Sequence, residues 1–471
     1  MSIKNLLALA VMGASATLVG CGSSDSNDAV NNAFVPCDDA ATECTLEGVL
    51  KEDFTLKTGV EYTLTDLFQV GEGNVDLEDA AAVAAAKAAG VTLTIEAGVH
   101  VKAAGEGVLL VTRGSMLEAV GTAVAPITFS GEDADYDGMG EWGGVVIQGF
   151  APQYGAGNTG VCGTDVCNVA GEGGDFIGNY GGIDKADNSG TIKYVRIAEA
   201  GKVAGPNNEI NGLTLQGVGH GTTVDYIQVH GNQDDGIEWF GGTVNVTHAV
   251  LTNNDDDAID FDEGYMGNIQ YAIVLQDQTA GATPTGSNDP RGIEANSSDT
   301  DYVTQTAATL ANISVINGEI AAGQPGVRLR GSVNMDFVNS VVASHEDNEG
   351  CIRIDDSDHD ASDATDKIDT PVNIINVMAS DCGTSTEDGA RTYPKSDPET
   401  ETGLVEVVAV FDAAWALTNN EATVADTTAT ATDNGSGFVF DTTDYIGAVA
   451  PGTAAASAWY AGWIIDGSLD Q

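Results

Sequence analysis

Between Gly236 and Ala379 a two-strand phrase recurs, and that recurrence constrains the fold more than any single residue does. Gly-Ile-Glu-Trp-Phe-Gly-Gly at 236–242 is followed by Val-Asn-Val-Thr-His-Ala-Val-Leu at 244–251. The same order, a short strand and then a second one, returns at 258–275, 292–318, 326–342 and 351–379. The anchor residues Ile237, Ile259, Ile293, Val327 and Ile352 stand 22, 34, 34 and 25 residues apart. A minimum near 22 with longer variants describes coils of fixed strands joined by loops of variable length. Strands with inward aliphatics cannot bury their faces alone and must stack on their neighbours. The pattern predicts an all-β chain wound as a parallel β-solenoid.

The N-terminus points to a compartment. A short basic start precedes an apolar run from Leu6 to Val19, which is too short for a bilayer span of about 20 residues. Leu18-Val19-Gly20-Cys21 resembles the lipobox of bacterial lipoproteins. That resemblance implies a signal peptide over 1–20, a lipidated Cys21 and a polar tether behind it. With no Asp next to Cys21, it also implies sorting to the outer membrane. Setting Cys21 aside leaves six cysteines in an oxidising space: Cys37, Cys44, Cys162, Cys167, Cys351 and Cys382. Pairing of neighbours, 37 with 44, 162 with 167 and 351 with 382, is expected, although six cysteines allow 15 connectivities. No Cys-x-x-Cys or adjacent His suggests a metal at these residues.

Charge narrows the partners. Against 17 basic residues stand 71 acidic ones, a net charge of −54, so nucleic acid and anionic headgroups are repelled. At 42% hydrophobic and 19% charged residues, the chain is not of the disordered class. Calcium is the natural counter-ion for such an acidic extracellular surface, and bare solubility is the competing explanation.

Residues 21–48 read as tether and a small stapled loop, and 49–471 as one β-helix domain, capped over about 49–90 and 438–471. Asp76–Ala89 reads as an Ala-rich helix with Asp76 as N-cap and Gly90 as its stop, capping or flanking the first coil. Residues 383–402 read as a polar loop and 419–437 as a stretch of low order. Trp459, Tyr460 and Trp463 are expected to cover the last coil.

The phrases Leu93-Thr-Ile-Glu-Ala-Gly-Val, Gly121-Thr-Ala-Val-Ala-Pro-Ile-Thr-Phe-Ser, Glu141-Trp-Gly-Gly-Val-Val-Ile-Gln-Gly and Asp234-Asp-Gly-Ile-Glu-Trp-Phe-Gly-Gly resemble a group of secreted bacterial proteins. That group belongs with the pectate-lyase-like right-handed parallel β-helices and mostly lacks an assigned activity. The resemblance implies a single-stranded right-handed β-helix with a short capping helix and loops. It does not imply a reaction, because this fold serves many functions.

Three constellations could carry chemistry. Asn232-Gln-Asp-Asp-Gly is followed 22 residues later by Asn254-Asp-Asp-Asp-Ala, which places Asp235 and Asp257 one coil apart, at about 5 Å. Carboxyls that close raise one another's pKa, as an acid and base pair requires. The column also resembles polygalacturonase-type hydrolases, which implies acid and base roles for Asp235, Asp256 and Asp257 and a substrate-carboxylate role for Arg328. Arg330 replaces that family's Lys, Arg291-Gly-Ile-Glu carries no His, and the Gly-His-Gly at 219–221 lies upstream. Turn capping and calcium binding remain alternatives for this column. A second candidate is Asp133-Ala-Asp-Tyr-Asp-Gly, the opening of a calcium loop. There Asp133, Asp135, Asp137 and Glu141 are the candidate ligands, and Gly144 stands where an EF-hand has its last Glu. In the third, Arg328, Arg330 and Arg353 lie at stacked strand positions, either beside a ligand or neutralising the acidic ladder.

Three functions follow as expectations. The first is a surface-anchored lipoprotein that presents an acidic, calcium-stabilised β-helix to a polysaccharide or an outer-membrane protein. The second is a glycan-cleaving enzyme using the Asp235/Asp257 column, and the third a structural rod. Trp239, Phe240, Phe261 and Tyr265 are the candidate ligand-stacking aromatics. The missing His and Lys place binding ahead of cleavage.

Overall fold

The computed structural model describes residues 33–470 apart from 39, 134, 155–161, 174–175, 203–209, 277–289, 298–304, 319–323, 332, 346–349, 356–371, 383–389, 394–403, 407 and 420–421. Cys21 and residues 1–20, expected to be a signal peptide, lie outside the described residues.

The anchor residues stack as their spacing requires. Ile237 pairs with Ile259, Ile259 with Ile293, Ile293 with Val327 and Val327 with Ile352, all in parallel register. A 34-residue step therefore closes the same turn as a 22-residue one. Three parallel sheets run along a right-handed β-helix. The first contains Thr92–Ile95 through Asn373–Ile375. The second, running from Glu43–Leu50 to Leu404–Glu406, links twelve strands by eleven pairings among the described residues. The third carries the anchors.

The corners explain the phrase itself. Where the first sheet turns into the second, Tyr194, Tyr226, His248, Tyr271, Asn312, Asn339 and Asn376 all adopt left-handed backbone. Bending at one residue turns a continuous segment such as Asn245–Thr252 around the corner without a loop. The glycine before three of the anchors, at 236, 292 and 326, has a steric cause. A Cβ on Gly236 would lie 2.6 Å from the Ala258 carbonyl oxygen of the next coil, and one on Gly292 would lie 2.2 Å from Val315.

Inside, alternating aliphatics form one continuous core from Phe34 to Ala379. At its base Phe34 seals the first coil, edge-on to Phe54 and Phe68 at 5.1 and 5.0 Å. The Cys37–Cys44 disulfide holds that seal in place. The first strand, Glu43–Leu50, thus begins inside the segment expected to be a tether.

The helix spans Ala80–Ala89 and is capped by Asp79, whose side chain accepts from Ala81 N and Ala82 N. Asp76 instead accepts from Asn179. Val83 packs with Leu77 and Phe150, so the helix flanks the solenoid while Phe34 closes its end.

The C-terminal segment is corrected more thoroughly. Among the described residues it runs back along the flank as a strap and does not cover the last coil. Thr427 meets Asn376, Thr432 meets Asn268 and Asn434 meets Asn245, after which Asp441, Thr443 and Gly447 return past Gln270, Asn312 and Asn339. Trp459 and Trp463 then pack edge-on against the stacked rings of Tyr194, Tyr226 and His248, at mid-helix. Residues 422–437, expected to be of low order, are held by these bonds and by the hairpin of Thr423–Thr427 with Thr443–Tyr445. The two further disulfides join Cys162 to Cys167 and Cys351 to Cys382, as neighbour pairing predicts.

Candidate functional site

Strand alternation determines which side chains leave the core on the anchor sheet. From each anchor the next residue points outward: Glu238, Asp260, Glu294, Arg328 and Arg353 form one lengthwise row. Two residues further along comes a second outward row, of Phe240, Asp262, Asn296 and Arg330, all half-buried. The first row is the deeper one, with Glu238 8% and Glu294 9% exposed. A hairpin of Val169–Ala170 with Asn179–Tyr180 overlies the N-terminal end of this face, where Ile177 packs on Val108, Leu110 and Val146. Tyr180 OH donates to Glu263 and Tyr154 OH to Asp262 (2.5 Å), pinning the neighbouring loop to the rim.

The expected acidic column lies at the corner leading into these rows. Asp235 and Asp257 stack one coil apart and are 6% and 3% exposed. Asp235 Oδ1 accepts the backbone N–H of Asp257 at 2.8 Å, the turn-capping role among the alternatives. Beside it runs an amide ladder, in which Asn254 Oδ1 accepts from Asn232 N and Gln276 Oε1 from Asn254 N. Asp256 joins Asp234 and Asp235, their oxygens within 4.8 Å of one another.

The arginine positions shift the expected roles. Arg291, 1% exposed, lies 3.3 Å from Asp257 and 3.1 Å from Glu294. Arg328 reaches Glu294 at 3.6 Å, on a rung beyond the aspartate pair, and Arg330 meets Glu294 at 3.1 Å. Burial first, then neighbouring carboxylates, hold Asp235, Glu238 and Asp260 well above the usual carboxylate range. Burial raises Asp257 likewise, against the opposing pull of Arg291.

Three of the four aromatics expected to stack on a ligand are core residues. Trp239, Phe261 and Tyr265 are 1%, 0% and 0% exposed. Alternation from Ile237 and Ile259 turns the residue two further on inward again, and Tyr265 OH is spent on the Val244 carbonyl at 2.8 Å. Only Phe240 faces outward, against the Cys162–Cys167 bridge. Gly219-His220-Gly221 lies at a different corner, where His220 N donates to the Lys185 carbonyl.

The second constellation closes around a residue not expected in it. Oxygens of Asp133 and Glu141 lie within 4.8 Å of Glu199, as do those of Asp135 and Asp137. Glu199 is fully buried in left-handed backbone and accepts from Gly131 N (3.0 Å) and Gly138 N (3.2 Å). Burial, then Glu199 and the three aspartates, raise Glu141. Glu199 could have been found from register, since it follows Ala198, the partner of His230.

Three parallel sheets about one aliphatic core, with a polar outer face on one of them, define a parallel β-helix of the pectate-lyase type. The family described as Pectate-lyase like beta helix domain matches residues 48–464, and the chain belongs to it. No curated protein and no solved structure matches.

Proposed function

We propose that this chain is a lipid-anchored surface β-helix, held through Cys21 at the outer membrane, that binds a neutral carbohydrate chain without cleaving it. The observation that carries the reading is the second outward row. Asp262, Asn296 and Arg330 present a carboxylate, an amide and a guanidinium on successive coils, half-exposed, beside Phe240. Such groups meet sugar hydroxyls as acceptors and donors, and stacked coils repeat them along a linear ligand. The −54 charge favours a neutral over an anionic chain. Calcium held by Asp133, Asp135, Asp137, Glu141 and Glu199 clamps the loop at 131–141; carboxylate oxygens alone suit that hard cation.

Binding of the mature protein to a panel of neutral polysaccharides tests the reading. Arg330→Ala and Asn296→Ala are each expected to weaken binding about tenfold, the loss of one or two good hydrogen bonds. Unchanged binding by both variants would remove this row from the site.

A second reading, glycan cleavage, draws on Asp235 and Asp257, whose buried carboxyls are held towards the protonated form that a general acid needs. Their low exposure and the use of Asp235 as a cap weigh against it. Reducing ends released by the wild type and lost in Asp257→Asn would establish cleavage.

A further inference from the structure

The acidic corner holds more carboxylate than its arginines match. Oxygens of Asp235, Glu238 and Asp260 lie within 4.8 Å of one another, and so do those of Asp257, Asp260 and Glu294. Asp260 belongs to both groups. The Asp257 carboxyl is 3% exposed, and its Oδ1 is buried with no hydrogen-bond partner among the described residues. Asp260 Oδ1 is in the same position. A buried oxygen without a donor is destabilising, and two of them aimed into one acidic corner mark a place for a positive ligand. Arg291 occupies one side of it, reaching Asp257 Oδ2 and Glu294 Oε1, Arg330 holds Glu294 Oε2 and Asn211 donates to Glu238 Oε2, which leaves Asp257 Oδ1 and Asp260 Oδ1 without a donor among the described residues.

The dimensions select the ligand. Oxygens coordinating calcium lie about 2.3–2.6 Å from the ion, so two of them across it stand at most about 5 Å apart. Both groups meet that limit. The donors are carboxylates only, without nitrogen or sulfur, which suits a hard divalent cation. They come from three successive coils, an irregular set that calcium accepts more readily than the strictly octahedral magnesium.

We propose that this corner binds two calcium ions, one at Asp235/Glu238/Asp260 and one at Asp257/Asp260/Glu294, with Asp260 as the shared ligand. The pair ties the coils of Ile237, Ile259 and Ile293 together beneath the half-exposed row. It is separate from the loop at 131–141 and does not depend on carbohydrate binding.

Native mass spectrometry of the metal-stripped mature protein, titrated with calcium chloride, counts the ions directly. Asp260→Asn is expected to lose two ions relative to the wild type and Glu294→Gln one. Asp135→Asn/Asp137→Asn is expected to leave the corner's two in place. The proposal fails if Asp260→Asn, folded by circular dichroism, takes up as many ions as the wild type. Wild-type crystals soaked in terbium chloride give a check that needs no variant. An anomalous peak against the Asp260 carboxylate is expected, and a corner without one overturns the site.

Discussion

Asp235 reaches across one coil and accepts the backbone N–H of Asp257 at 2.8 Å, so a side chain reinforces the bond from Gly236 N to the Asp257 carbonyl that joins the same two turns. A buried N–H without its acceptor costs about 1–2 kcal/mol. Asp235→Ala should lose that much in urea unfolding at unchanged m-value, and Asp235→Asn, which keeps an oxygen in place, much less. Equal losses in the two variants would show that the bond is not what stabilises the corner.

Buried acids give the fold a pH dependence of definite sign. Burial raises Glu263 to about 8, with the Tyr180 hydrogen bond opposing, and Asp187 to about 6. Below the ordinary carboxylate range both states are protonated, and these groups contribute their full stability. As pH rises, the unfolded chain ionises first and binds fewer protons than the native one, so stability falls. The fall should run from about pH 4 to 6 for Asp187 and from about 4.5 to 8 for Glu263. In chelator, Glu263→Gln should flatten the melting-temperature profile between pH 6 and 8, and an unchanged slope there would refute the assignment.

Calcium should raise the melting temperature. At a hundred times its dissociation constant a native-state ligand adds about 2.7 kcal/mol per site. Asp135→Asn/Asp137→Asn should remove part of the gain, measured in calcium against chelator at matched ionic strength. Identical curves for the wild type in both would mean that the acidic surface is only solvated.

Phe34 should matter out of proportion to its position. It is 7% exposed and fills the open base of the core, where Phe→Ala substitutions cost about 3–5 kcal/mol. Amide exchange in Phe34→Ala should speed up first in the strands Glu43–Leu50 and Phe54–Leu56.

Cys21→Ala should move the protein from the membrane fraction to the soluble one. Unchanged detergent partitioning would dispose of the lipid anchor.

Much of this was legible from residues alone. Ile237 and its successors announced their stacking because a coil has a minimum length and strands alternate. The same alternation, carried two residues on, would have placed Trp239 and Phe261 inside, and carried one residue on would have listed Glu238, Asp260 and Glu294. Arg291 and Glu199 were harder. Arg291 meets its partners across connections whose lengths vary, so sequence distance carries no register there, whereas Glu199 follows a strand in register but stands far in sequence from Asp133 and Glu141. The strap was misread for a different reason. Its Thr, Asn and Asp residues are ordered by bonds to Gln270, Asn312 and Asn339 and have no periodicity of their own.

A solenoid touching only its neighbours can lose turns from either end, one at a time. The strap removes that freedom here. Ser468 holds Gln228, Thr443 holds Asn312 and Thr427 holds Asn376, so coils far apart along the axis share one late-made segment. The turns between Gln228 and Asn376 should therefore melt together, as a bundle does once it is bound lengthwise. During synthesis the same binding completes only after Ser468 has left the ribosome.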